Sequence, residues 1–143
     1  MKVVVDITFE NIEDSEFCEK SSRVLFITFS CSIFSFLSSS SMPEARVFEL
    51  FTNILEKHSS NALVCFSILM SLRIFISVLS GTDILDRYIN PLFKSGIFRT
   101  LVSIMENTKN DFVASECRDL FIIFSKRGKS IIIFSPFHFS HFF

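Results

Sequence analysis

His138 and His141 stand three residues apart, the spacing that lets one helical face offer two imidazoles to a metal ion. No acid or cysteine lies in the 14 residues before His138, and the pair sits in a Phe-rich run. It therefore reads as tail composition and not as a metal centre. Asp83 and Asp86 have the same spacing, and two carboxylates on one face can share general acid and base work. At the start of a helix they read instead as partners of its dipole, and Glu116 and Asp119 read alike, on the solvent side of theirs. Cys18, Cys31, Cys65 and Cys117 form no C-x-x-C pair, and none has a histidine at ligand spacing. Cys65 and Cys117 fall in apolar helical patterns and read as core thiols. Lys126-Arg127-Gly128-Lys129 is a basic cluster suited to a helix C-terminus. A Gly-rich phosphate loop, G-x-S-x-G and H-E-x-x-H are all missing. No catalytic, cofactor-binding or metal-binding residue is expected, and the chain is expected not to be an enzyme.

The elements that would position these residues are helices. Ser41-Met42-Pro43-Glu44 reads as a capping box with Pro in the first turn. It opens a helix over about 42–57, with Val47, Phe48, Phe51, Ile54 and Leu55 on one face and Lys57 and His58 at its end. Asn61, after Ser59-Ser60, offers an N-cap to a second helix reaching Leu79, apolar nearly all round and hence buried on several sides, with Arg73 on its one wet edge. Thr82 caps a third helix that should stop at Asn90-Pro91. A fourth runs over about 97–106 with Phe98, Leu101, Val102 and Met105 on one face. Asn110 or Thr108 caps a fifth, 111–126, with Val113, Cys117, Leu120, Phe121 and Phe124 as its stripe. The only three glycines, Gly81, Gly96 and Gly128, all fall at or beside helix boundaries. The expectation is an all-α armadillo/HEAT-like fragment of about two repeats within 42–129. Two such units cannot bury their faces unaided, so the piece should stack on something missing, or on itself.

Outside 42–129 the composition changes. Of the 143 residues, 20 are Phe and 23 Ser, and 49% are hydrophobic. Residues 1–21 hold six acids and two lysines and read as a solvated acidic segment. Residues 22–41 form a Ser/Phe-rich segment, uncharged from Val24 on, and 130–143 a Phe-rich apolar tail. Neither shows a clear period, and both fit translated non-coding sequence in a mispredicted gene as well as they fit an apolar helix and a β-prone tail. A net charge of −1 removes the electrostatic case for nucleic acid. Val24–Leu37 is too short to span a bilayer, and Arg73 interrupts Ala62–Leu79, so a membrane role is the lesser alternative. The N-terminus is not a signal peptide, and unpaired cysteines suit a reducing, intracellular compartment.

One stretch resembles a known family. Leu72-Arg73-Ile74-Phe75 leads to a polar turn with Asp83, followed by Asp86-Arg87-Tyr88-Ile89. Gly96-Ile97-Phe98 opens an apolar helix that ends in the polar loop Asn107–Asn110. Ser115-Glu116-Cys117-Arg118-Asp119-Leu120-Phe121 then runs to Lys129-Ser130, and Lys57-His58 fits the preceding unit. In this spacing, residues 62–132 resemble the central helical-repeat domain of regulatory subunit 3 of protein phosphatase 4. The resemblance implies a non-catalytic scaffold, nuclear or cytoplasmic, that recruits a Ser/Thr phosphatase complex. That family's N-terminal peptide-binding domain has no counterpart in the sequence, so no site residue carries over.

Overall fold

The structure is a computed structural model that describes residues 2–38, 46–80 and 83–127. Those residues form seven helices and no strand: α1 Lys2–Glu10, α2 Ser15–Ser38, α3 Arg46–Lys57, α4 Ala62–Leu79, α5 Asp83–Lys94, α6 Ile97–Asn107 and α7 Asp111–Arg127. The all-α expectation holds at this level. The capping box at Ser41–Glu44, the Thr82 cap, Gly81, Gly128 and the tail from 130 lie outside the described residues.

The helices make three antiparallel pairs, α1/α2, α3/α4 and α6/α7, set side by side. α1, α3 and α6 form one row and α2, α4 and α7 the other, while α5 rests on α3, α4 and α6. Neighbours within a row run parallel. In the first row, Asp6 meets Arg46 and Glu13 meets Lys57, and Thr52 meets Ser95 as Glu56 meets Thr100. In the second, Asn61 donates to Glu19 and Phe29 packs on Phe75, while Phe66 packs on Phe112 and Arg73 reaches Glu116.

The pairs share a local design. Asp14 Oδ1 accepts from Phe17 N at 2.9 Å, Asn61 Oδ1 from Val64 N at 3.2 Å and Asn110 Oδ1 from Val113 N at 3.0 Å. Each cap satisfies N–H groups that a helix start leaves open. Asp14 and Asn61 are 47 residues apart, and Asn61 and Asn110 are 49. Burial follows the same ruler. Val5, Thr52 and Leu101 lie nine residues before their caps, and Thr8, Leu55 and Ile104 six before. Ser21, Ile68 and Cys117 lie seven after, and Leu25, Leu72 and Phe121 eleven after; all twelve are buried.

Three expectations change. First, the acidic start keeps most of its acids in solvent but is more than a solvated segment. Residues 2–38 are a helical pair whose Val5, Cys18, Leu25 and Phe29 enter the common core, and α2 crosses the 21/22 compositional step without a break. Its charges dock on α3 through the Asp6–Arg46 and Glu13–Lys57 ion pairs. His58 is buried, and its Nε2 donates to Ile12 O at 2.7 Å, tying the first turn to the second pair. Second, the 42–129 block does not lack a stacking partner, because this N-terminal pair covers one side of α3 and α4.

Third, the third helix does not stop at Asn90-Pro91. α5 continues through Pro91 to Lys94. An interior proline costs about 3 kcal/mol in a helix. Here that cost is offset by the last turn, which fully buries Leu92 and stacks Phe93 on Phe98 with ring centroids 4.0 Å apart. Gly96 then takes φ 84°, a left-handed conformation that glycine adopts without strain, and its carbonyl receives Thr100 N.

α4 lies between α2 and α7, which explains its near-continuous apolarity: a helix flanked on both sides has little circumference left for water. It is the one described helix long and apolar enough to cross a membrane, and 56% of it is buried inside the protein. Serines on the touching faces cost little. Ser22 Oγ donates to Cys18 O at 2.6 Å and Ser71 Oγ to Ser67 O at 2.8 Å, so these buried hydroxyls are satisfied within their own helices.

Phe29 is fully buried and touches rings from two other helices. Phe29→Ala is therefore expected to lower unfolding free energy by about 3–5 kcal/mol in urea titration. A neutral result would show that the Ser/Phe-rich segment is not part of the fold.

Candidate functional site

Two of the four carboxylates that the sequence offered for chemistry are tied to an arginine. Glu116 and Asp119 lie one turn apart on α7 and both reach across to Arg73 of α4. Arg73 Nε donates to Glu116 Oε2 at 2.7 Å and an Nη to Asp119 Oδ2 at 3.2 Å. Glu116 is not on the solvent side: its side chain is 13% exposed, against 51% for Asp119. Burial works against the Arg73 charge, but hydrogen bonds and charges from Glu116 and then Asp119 outweigh it and hold the guanidinium above its ordinary value. The wet edge expected at Arg73 carries a partly exposed ion-pair cluster that joins the second and third pairs. Nothing in the spacing of residues 43 and 46 positions apart in the chain could have shown this.

Asp83 opens α5 and Asp86 is exposed in its first turns. Lys126 is exposed near the end of α7. His138, His141 and Lys129 lie outside the described residues. Among the described residues no group of three His, Cys, Asp or Glu is placed to hold a metal ion. Cys65 and Cys117 are fully buried, as read from their helical stripes, and so is Cys18; only Cys31 is exposed. Burial pushes the Cys65 thiol up to about 11 and the Cys117 thiol up to about 12, with Cys65 and Glu116 adding to the effect on Cys117. Cys18 is raised by burial and then by Asp14 and Glu13. These three are poor nucleophiles.

What the surface does offer is an apolar patch. Phe66 of α4 and Phe112 of α7 pack ring against ring at 5.6 Å while remaining 40% and 50% exposed. Leu63, one turn before Phe66, is 53% exposed. On α4 the stripe Leu63, Phe66, Met70, Arg73 recurs at i, i+3, i+7 and i+10. On α7 Phe112, Glu116 and Asp119 follow the matching i, i+4, i+7 course. Paired aromatics and an aliphatic therefore stand in water beside the Arg73 ion-pair cluster. Aromatic and arginine side chains in such company are the residue types that dominate binding energy at protein interfaces.

No protein-family model, curated protein or solved structure matches the chain. The functional reading therefore stands on geometry and residue chemistry.

Two measurements probe the site's framework. Native protein at pH 8 should react rapidly with a disulfide thiol reagent at one site, lost in Cys31→Ser, and at four in denaturant. More than one rapid site would contradict the burial described. In a double-mutant cycle, Arg73→Met should cost about 1–2 kcal/mol, with a coupling to Glu116→Gln near 1 kcal/mol, because the pair is only partly shielded from water.

Proposed function

We propose that the three helix pairs are consecutive units of an armadillo/HEAT-like α-solenoid and that the chain is a non-catalytic scaffold that binds other proteins. The spacing of 47 and 49 residues between equivalent caps supports the first part, being at and just above the roughly 40–47 residues of such units. The half-exposed Leu63–Phe66–Phe112 patch carries the second. Exposed aromatics gain most when a partner covers them, and stacked units present them on a semi-rigid surface. The mechanism is tethering: a bound partner's local concentration rises beside whatever else the scaffold holds. A Ser/Thr phosphatase complex is the partner put forward by the resemblance at residues 62–132.

The test is a pull-down with the full chain, comparing wild type with Phe66→Ser/Phe112→Ser by mass spectrometry, after matched circular-dichroism melts. Both positions are exposed, so the variant should fold. Partners retained by wild type and lost in the variant are the expected result, and a phosphatase catalytic subunit among them bears out the finer reading. An identical set from both proteins would remove the patch as the binding surface.

A further inference from the structure

A second surface differs from the patch in chemistry. A cleft of about 620 Å³ between the α3–α4 turn and the α6–α7 turn adjoins a smaller one of about 140 Å³ between α3 and α6. They share Ser59, Ser103 and Ile104 and so form one continuous groove, with Arg99 at one end and Lys109 at the other. Several helix serines spend their hydroxyls on their own backbone, as Ser22, Ser30, Ser67, Ser71 and Ser125 do. The hydroxyls of Ser59, Ser60 and Ser103 on this groove donate to no described residue, and Arg99 and Lys109 form no ion pair with one. Lys20, Arg23, Arg46, Lys57 and Arg73 are paired, whereas Arg99 and Lys109, like Lys2, Arg87, Lys94, Arg118 and Lys126, form no ion pair with a described residue; what sets these two apart is that they line the groove. Glu56 is the carboxylate on the groove wall, and it already accepts the Thr100 hydroxyl at 2.9 Å.

We infer that this groove binds an extended acidic peptide segment whose two carboxylate side chains meet Arg99 and Lys109, with the serine hydroxyls donating along its length. The dimensions fit. Arg99 and Lys109 are ten residues apart along α6 and its exit, which is about 15 Å at helical rise. In an extended strand, side chains at i and i+4 point the same way and stand about 13 Å apart. The inference rests on the scaffold reading only in taking a protein segment as the ligand, and it names the partner's chemistry.

The experiment is fluorescence anisotropy on the full chain with a labelled nonapeptide, Gly-Gly-Glu-Gly-Ser-Gly-Glu-Gly-Gly, against its Gln counterpart. The Glu peptide should bind and the Gln peptide should be at least tenfold weaker. Arg99→Gln and Lys109→Gln should each weaken binding about tenfold, the effect of one charge-assisted hydrogen bond. Arg118→Gln, which removes an exposed cation outside the groove, should change nothing, and rising salt should weaken the complex. Equal binding of both peptides, equal loss in the Arg118→Gln control, or no binding at millimolar protein overturns the inference. A chain that ignores the peptide yet keeps its patch-dependent partners overturns the groove alone and leaves the scaffold reading intact.

Discussion

The architecture turns on one cluster of rings. Phe29 of α2 packs on Phe48 and Phe51 of α3 and on Phe75 of α4, with centroids 5.4–6.4 Å apart, and Phe48 and Phe75 in turn hold Tyr88 of α5. Most of these contacts are edge-to-face, the geometry that adds about 0.5–1.5 kcal/mol per pair beyond area burial. Four helices from both rows thus meet at one point. A smaller cluster, Phe93, Phe98, Phe121 and Phe124, does the same for α5, α6 and α7. With no tryptophan and a single tyrosine, phenylalanine is the only abundant side chain large enough to bridge helices held apart by their neighbours.

The helices whose ends carry polar punctuation were legible in the residues. α4, α6 and α7 begin and end within a residue or so of the positions that Asn61, Gly96 and Asn110 announce. α2 was legible only in its second half, where an apolar helix was one of two readings, because its inward stripe is Cys18, Ser21, Ser22, Leu25 and Phe29. Three of those five are small or polar, so the helical period disappears in any hydrophobicity count. The hydroxyls become compatible with burial only through bonds to carbonyls one turn back, which composition does not reveal. α5 misled for the opposite reason: Pro91 is a strong local stop signal, and the packing of Leu92 and Phe93 overrides it.

The recurrence of the three pairs was hidden for a related cause. Equivalent buried places hold Val5, Thr52 and Leu101, or Ser21, Ile68 and Cys117. Position is kept while residue type is not, so sequence identity between the pairs stays low. The surface followed the same logic. Glu116 and Asp119 were read correctly as sharing a face, but their partner Arg73 comes from another helix, and only the fold brings the three together. The patch was not visible, since Phe66 belongs to the helix read as apolar nearly all round and buried on several sides, and its contact with Phe112 depends on the parallel course of α4 and α7.

That parallel course has a consequence for how the chain comes apart. Among the described residues the middle pair, α3/α4, is covered on both sides, whereas α1/α2 and α6/α7 each meet a neighbouring pair on one side. In linear stacks of this kind cohesion comes from nearest-neighbour interfaces, so opening starts at the ends. Amide hydrogens of α3 and α4 should then be the slowest in the molecule to exchange with solvent. The outer pairs can then open locally, at a free energy below that of global unfolding, while that centre persists.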